Sequence, residues 1–583
     1  MSALKYLNKY LYKYRYRLIF GIFITIISRI FSLVTPRLVG DSLSVVENYI
    51  KNKSGYLADV KQELLINILL IIGATLISGV FTFLMRQLII VMSRYIEFDL
   101  KNEIFKQYER LTLNFYKKNR TGDLMNRISE DVGKVRMYFG PAIMYTINMI
   151  TLFVVVIANM LRIDASLTLY TVLPLPILSI AIYILSRVIN EKSTIVQQYL
   201  SKLTTFSQET FSGIGVIKSY GIEPQTFNEF KDLANESKQK NIDLYKVQAL
   251  FFPMMILLIG ISNLLVIYVG GMRYINGQIE TIGVIAEFII YINMLTWPVA
   301  IVGWVTSIVQ EAEASQERIN EFLKIEPEIV NTQNTKQQIN GKIEFKNVSF
   351  TYDDTNINAL RNVSFIVDDG KTLAILGKTG SGKSTIAQLI ARLYDIKEGE
   401  IYIDDILIKN HHLNHLREEI GFVPQDSFLF SDTITNNIKF GVENATKDEI
   451  ENAAKLANVH LNIIEFKNGY DTVLGERGVT LSGGQKQRVS MARALIKNPK
   501  ILILDDCLSA VDTETEEQIL QNLKTYSKGK TTIIISHRIS SVKNADKIIV
   551  LDKGKIIQEG THDELLTIHG FYKDLYDEQL HGN

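Results

Sequence analysis

Six apolar stretches in the first half of the chain, near Leu18 to Pro36, Leu64 to Leu84, Phe139 to Leu161, Leu167 to Leu185, Leu250 to Val269 and Ile282 to Ile308, restrict the fold more than any other feature. Each approaches the roughly 20 residues that a helix needs to span hydrocarbon. A buried core helix would explain any one of them, but six together point to a bilayer. An even number of spans returns the chain to the side on which it started, so both ends share a compartment. The length of 583 residues exceeds a single domain, and a hydrophobic content of 47% fits a chain partly dissolved in lipid.

Lys and Arg number 63 against 62 Asp and Glu, so no excess charge points to nucleic acid, and none is expected as a partner. The single cysteine, Cys507, allows no internal disulfide. Lys5, Lys9, Lys13, Arg15 and Arg17 crowd the N-terminus ahead of the first acidic residue, Asp41. The apolar stretch that follows is too long for a cleaved signal, and no small-residue site bounds it. The basic segment therefore reads as a cytoplasmic anchor.

The connections are very unequal. Little more than Arg162-Ile163-Asp164 joins the third and fourth stretches, whereas about 55 and 65 polar residues follow the second and the fourth, far beyond ordinary loop lengths. Charges recur in them at helical spacing, as in Arg94, Glu97, Lys101 and Lys106. They read as membrane helices prolonged into the cytoplasm. Two segments, near 115–128 and 211–221, carry glycines (Gly122, then Gly213, Gly215 and Gly221) where such helices would turn back.

A polar linker, 326–340, ends the apolar pattern, and 341–583 alternates short strands with helices as an α/β domain does. The strand Thr372 to Leu376 leads into Gly377-Lys378-Thr379-Gly380-Ser381-Gly382-Lys383-Ser384-Thr385, a complete G-x-x-x-x-G-K-S loop in the strand-loop-helix context it requires. Its glycines let backbone N–H groups approach phosphates, Lys383 neutralises the β and γ groups, and Ser384 offers a hydroxyl to Mg²⁺. Ile501-Leu502-Ile503-Leu504-Asp505 reads as a buried parallel strand ending in the carboxylate that supports the metal. ATP and Mg²⁺ are the expected cofactors.

Between these motifs lies Leu481-Ser482-Gly483-Gly484-Gln485. A helix start preceded by Ser and two glycines offers free N–H groups and a positive dipole end that suit a phosphate. This LSGGQ sequence marks ABC ATPases, and essentially the whole chain resembles the ABC exporter half-transporters. That resemblance implies a membrane α-helical domain of six transmembrane helices with long cytoplasmic extensions (1–325), followed by an α/β P-loop nucleotide-binding domain of the ABC type (341–583). It also implies that LSGGQ serves the ATP of a partner cassette, so that the chain works as half of a dimer. Tyr352, ending the strand "KIEFKNVSFTY", matches the aromatic residue stacked on adenine. Gln425 matches the glutamine that meets Mg²⁺ beside the coupling regions, Ser509-Ala510-Val511-Asp512 the D-loop, and His537 the switch histidine at the γ-phosphate. Gly475-Glu476-Arg477-Gly478 matches the exporter-specific segment before the signature, and "RTGDLMNRISEDV" and "IKSYGIE" are similar to the coupling regions that transmit motion.

One position departs from the family pattern. A Glu ordinarily follows the Asp of that strand and polarises the attacking water, whereas this chain has Asp506. The shorter carboxylate withdraws by about 1.5 Å, and such a displacement costs roughly a hundredfold in rate. Asp505 through Asp512 resembles the impaired subunit of heterodimeric ABC exporters, which keeps an intact signature for a competent partner. The bland alternative is that Asp506 serves as a less favourable base in a self-sufficient homodimer.

Within the apolar stretches, Arg29, Asn263, Glu287 and Asn293 are costly unless they face protein or a water-filled cavity. With Trp297 they are the expected substrate pathway for a small amphipathic molecule, although packing between helices explains such polar residues equally well. Pro298 is expected to bend the sixth helix. The expected activity is ATP-driven export of a drug, lipid or peptide across the plasma (inner) membrane, with the N-terminus and the nucleotide-binding domain in the cytoplasm. A regulatory or channel-like protein gated by ATP is the alternative of a different class. Importers are a poorer match, because they usually place membrane and ATPase parts on separate chains.

Overall fold

The computed structural model describes residues 3–52, 56–331, 333–475, 478 and 480–581; Glu476 and Arg477, of the segment before the signature, lie outside them. The chain divides into two compact units, one comprising Met1–Tyr108 and Gly122–Ile325, the other Glu109–Thr121 and Glu326–Asn583.

In the first unit five helical runs among the described residues are long and apolar enough to cross a membrane: Arg15–Lys51, Leu57–Arg110, Thr121–Ile163, Glu223–Ile275 and Gly283–Leu323. The fourth apolar stretch is divided between helices Ala165–Val172 and Pro174–Ser212, because Pro174 has no N–H to continue the preceding turn. Helix Leu57–Arg110, with 54 residues, is about 80 Å long against roughly 30 Å of hydrocarbon, so more than half of it stands outside the bilayer core. Its C-terminal half buries Ile89, Met92, Ile96, Leu100 and Ile104, a stripe at spacings of three and four. The N-terminal segment docks on its surface. Tyr6 and Tyr10 each donate to Glu103 at 2.5 Å, Lys9 pairs with Glu103 at 2.7 Å, and Lys13 with Asp99 at 2.6 Å. Two of the basic residues read as an anchor are thus also ion-paired within the fold.

The turns fall close to the expected places, the first ahead of its glycine and the second at one of the expected glycines. Helix Leu113–Lys118 ends in extended backbone at Asn119, and the next helix begins at Thr121, so the chain reverses before Gly122. In the second segment Gly221 terminates helix Ile214–Tyr220 with φ of 65°, a left-handed cap that glycine adopts without strain. The last membrane helix runs unbroken through Pro298.

The second unit is built on two sheets. An antiparallel sheet joins β1 (Ile343–Thr351), β2 (Asn358–Val367), β4 (Glu398–Ile403) and β5 (Ile406–Leu407) in the order β2-β1-β4-β5. The larger sheet orders β10 (Lys555–Gly560), β9 (Lys547–Asp552), β3 (Thr372–Gly377), β8 (Thr531–Ile535), β7 (Ile501–Asp505) and β6 (Ile420–Val423) as β10-β9-β3-β8-β7-β6. All of its neighbours are parallel except β10 with β9. Every residue of β7 is buried, as a strand covered on both faces requires, and the C-terminal ends of β3 and β7 bring the phosphate loop beside Asp505.

Helices Val34–Asn52 and Gly283–Leu323 meet backbone to backbone: a Cβ added at Gly283 would lie 2.1 Å from the Gly40 carbonyl and 2.3 Å from Ser44 Oγ. Gly73 and Gly79, with nothing within 4 Å, have no such constraint. Gly283→Ala is therefore expected to lower the thermal midpoint of the purified protein, while Gly73→Ala and Gly79→Ala leave it level or slightly raise it. Equal midpoints for all three in a thermal-shift assay would overturn this account of the contact.

Candidate functional site

The loop after β3 is shaped by glycines that no other residue could replace. Gly377 (φ 151°) and Gly382 (φ 104°) adopt left-handed backbone, and an added Cβ would lie 2.2 Å from the Leu551 carbonyl and 2.3 Å from that of Ala359. Gly382 caps helix Lys383–Ile390. The Lys383 ammonium, only 6% exposed, donates to the carbonyls of Gly377 (2.8 Å) and Lys378 (3.0 Å), and Ser384 Oγ donates to Asp505 Oδ1 at 3.1 Å. The buried Ser381 hydroxyl has no partner among the described residues. Lys378, Thr379 and Gly380 are exposed at the loop tip.

Charges of both signs are held here with little water. Burial pushes the Asp505 carboxyl up to about 6, with the Asp506 charge adding and Ser384 and Lys383 opposing. Burial lowers the proton affinity of Lys383 against the pull of Asp506 and Asp505. It also lowers that of His537, where Lys383 adds to the effect. Asp506 is raised by burial, and Gln425 Nε2 reaches its Oδ2 at 3.4 Å. A buried ammonium bonded only to carbonyls, an orphaned hydroxyl and a cradle of glycines fit a polyphosphate. No cluster of three or more His, Cys, Asp or Glu among the described residues would hold a metal by itself. Mg²⁺ here would use Ser384 and Asp505, with phosphate and water oxygens completing its shell.

Ser482 caps helix Gly483–Leu495: its Oγ accepts from Gln485 N–H, and Gln485 Oε1 accepts from Ser482 N–H at 3.0 Å. Leu481 is buried beneath. Gly484 lies against the next loop, where an added Cβ would stand 2.7 Å from the Ala510 carbonyl. Asp512 caps the following helix, accepting from Thr515 N–H at 2.9 Å. Three residues that the motifs do not include complete the arrangement. Gln487 donates to Ser509 Oγ and accepts from Ala510 N–H, each at 3.2 Å, tying the signature helix to the D-loop. The buried Glu516 carboxylate accepts from Arg538, Ser540 and Ser541. Gln579, on the C-terminal helix, donates to the His537 carbonyl at 2.9 Å. The contacts of Gln487 and Gln579 are not visible in local sequence, whereas Glu516 stands in the first turn after a cap, a weak signal.

Tyr352 is half-buried. Its hydroxyl accepts from Thr385 Oγ1 (3.0 Å) and donates to Gln388 Oε1 (3.1 Å), which fastens β1 to the helix of the phosphate loop. Lys117 Nζ stands 4.6 Å from the centre of its ring. A cavity of about 460 Å³ opens beside it.

The polar membrane residues do not converge. Arg29 and Trp297 line one cavity. Glu287 is buried and accepts from Tyr291 at 2.5 Å, Tyr291 in turn accepting from Asn159 at 2.7 Å. Asn293 is exposed and donates to the Ile289 carbonyl of its own helix, while the buried Asn263 Oδ1 has no partner among the described residues.

Long apolar helices and a triphosphate cradle on one chain define a membrane protein worked by a P-loop ATPase. The family model for the ABC transporter transmembrane region matches residues 18–299, and that for ABC transporter matches 360–509. The chain is 38% identical to the "Multidrug resistance-like ATP-binding protein MdlA" of Escherichia coli (strain K12), over 88% of each. It is 35% identical to the "ATP-dependent lipid A-core flippase" of Syntrophus aciditrophicus (strain SB), over 88% of this chain and 85% of that one. A solved bacterial Atm1-family ABC exporter with ATP bound superimposes with a TM-score of 0.80 at 28% identity, covering 97% of this chain and 99% of that one. The chain belongs to the ABC transporter family and has the exporter fold, with its transmembrane region and its ATPase cassette on one polypeptide.

The raised Asp505 has a consequence for the nucleotide-free protein. The folded chain holds the Asp505 proton more tightly than the unfolded chain, where the ordinary value of 3.8 applies. Its ionised form therefore subtracts stability above about pH 6, and this deficit vanishes below about pH 4. Asp505→Asn should melt higher than the parent near pH 7.5, by about 2–4 °C per kcal/mol recovered, with the gap narrowing by pH 5. A gap of unchanging size would contradict the assignment.

Proposed function

We propose that this chain is half of an ATP-driven exporter of amphipathic molecules, held in the plasma (inner) membrane by six spans, with its N-terminus and cassette in the cytoplasm. The observation that carries this reading is the contrast between the two helical turns. Segment Leu113–Lys118 lies with its own cassette: Asn114 and Thr112 donate to Glu328 at 2.9 and 3.1 Å, and Lys117 Nζ approaches the Tyr352 ring to 4.6 Å. Segment Ile214–Tyr220 buries no side chain, and Phe211, Val216 and Tyr220 are 73%, 60% and 77% exposed. A bare apolar tip calls for a partner surface, and a second half-transporter supplies one. The LSGGQ helix start then serves the partner's ATP, and Tyr352 stacks on this chain's adenine. The names of the relatives, for multidrug resistance and for lipid A-core flipping, support an amphipathic substrate of drug, lipid or peptide type.

Binding of two ATP molecules between cassettes favours their closed pairing and an outward-open membrane domain, and hydrolysis resets it. A nearly complete swing needs ATP to prefer the closed state by about 5.5 kcal/mol. Asp506 makes this chain's own site slow. Its N–H donates to the Ile535 carbonyl at 2.9 Å, and its carbonyl accepts from Ser509 Oγ at 3.0 Å. The backbone, at φ 47°, is fixed by these bonds, so a shift of the main chain does not restore the reach lost with one methylene. The partner is then a different chain carrying Glu at this position.

Steady Mg-ATP hydrolysis by the purified chain in lipid, with Lys383→Ala as blank, tests the assignment. Near-blank activity, raised roughly a hundredfold by Asp506→Glu, is the expected result. Robust turnover by the unmodified chain would mean a self-sufficient homodimer that uses Asp506 as base.

A further inference from the structure

A cavity of about 340 Å³ lies within the membrane unit, walled by Arg29, Arg86, Tyr145, Asn148 and Trp297. Two arginines line it, and no acidic residue does. Arg29 spends its Nε–H on Asn148 Oδ1 at 2.5 Å, which fixes the group while leaving its two terminal nitrogens uncommitted among the described residues. Arg86 stands two positions beyond the second apolar stretch, between Met85 and Gln87, with Leu88, Ile89 and Ile90 following. Neither arginine has a carboxylate partner among the described residues.

Arg29, inside an apolar stretch, is costly without a charged partner, and Arg86 stands at the edge of the next stretch, where charged groups ordinarily pair with one another or with protein carbonyls. Two like charges around one cavity repel each other as well, so the arrangement is best relieved by an anion between them. Guanidinium forks match the oxygens of phosphate, sulfonate and carboxylate with two donors at a time. The remaining wall is aromatic and apolar. Tyr145 is held edge-on by Trp304 at 5.5 Å between ring centres, and Trp297 is 64% exposed. We infer that this cavity is a binding site for an amphipathic anion, whose charged head sits between Arg29 and Arg86 and whose apolar body lies along Trp297. This deepens the exporter reading and rests on it, by naming the substrate class as anionic.

The chain contains only two tryptophans, Trp297 and Trp304, so a Trp304→Phe background reports on the cavity through Trp297 emission alone. Dodecyl phosphate, titrated without ATP into the protein in phosphatidylcholine nanodiscs, should change that emission saturably, and dodecyltrimethylammonium should bind at least tenfold more weakly. Arg86→Gln, at an exposed position that folding tolerates, should weaken dodecyl phosphate at least tenfold, and Arg29→Lys, which keeps the charge, should retain the preference for the anion. Equal binding of the two amphiphiles, or undiminished anion binding by Arg86→Gln, would overturn the inference. Replacing part of the phosphatidylcholine by phosphatidylglycerol separates the sources. Displacement of the probe that requires Arg86 identifies a lipid headgroup as occupant, and no displacement identifies a free amphipathic anion; both support the anionic site. The readout needs no hydrolysis, so anion binding without ATP-driven flux would reject the exporter reading alone, while flux of cations without any preference for anions would reject this site alone.

Discussion

Hydrocarbon offers no hydrogen bond to a peptide group, and the first half of this protein follows from that fact. Every long apolar stretch is helical, and the helices continue past the hydrocarbon where a packed apolar stripe, such as Ile96, Leu100 and Ile104, offsets the cost of ordering them in water. Helix Leu57–Arg110 shows the change of solvent along a single rod: exposed Leu, Ile and Phe in its first half give way to a narrow stripe of buried Ile, Met and Leu in its second. Small residues take over where helices touch, as at Gly40, Ser44 and Gly283, since lipid tails are as apolar as leucine and close approach supplies the attraction instead.

In the cassette the governing quantity is close approach of a different kind. Gly377 and Gly382 sit so near the carbonyls of Leu551 and Ala359 that the phosphate loop has one shape. That shape confines Lys383 and Asp505 in a poorly hydrated pocket, where neither holds its ordinary proton affinity. A bound phosphate answers the same imbalance, which connects the geometry of the loop to its affinity for nucleotide. The signature helix is fixed with equal economy: Ser482 and Gln485 satisfy each other's backbone N–H groups, and Gln487 passes the position of that helix to the D-loop. His537 is steadied from the far end of the chain by Gln579, which donates to its carbonyl.

Polar side chains in the membrane unit divide by how they are satisfied. Glu287 is closed off by Tyr291 and Asn159, a contained network that leaves no lone charge facing a cavity. Arg29 and Arg86 are the opposite case, two cations lining one cavity, of which Arg29 is bonded to the neutral Asn148. The cost of an uncompensated charge separates a packing role from a binding role more clearly than residue type does.

The sequence by itself determined the class of fold and the local elements of the cassette from which the candidate nucleotide site is built. Hydrophobic stretches of bilayer length and the strand-loop-helix order of the phosphate motif are local properties that need no partner elsewhere in the chain. The helix start at Ser482 and the acid pair Asp505-Asp506 were legible for the same reason. Tertiary structure alone decided which distant residues meet. It set the turn at Asn119 ahead of Gly122 and seated Lys117 over Tyr352. It also scattered Asn263, Glu287 and Asn293 while gathering Arg86 with Arg29 and Trp297. Residues on separate helices carry no mark of their neighbours in the sequence, because the rotation of each helix is set by packing against all the others.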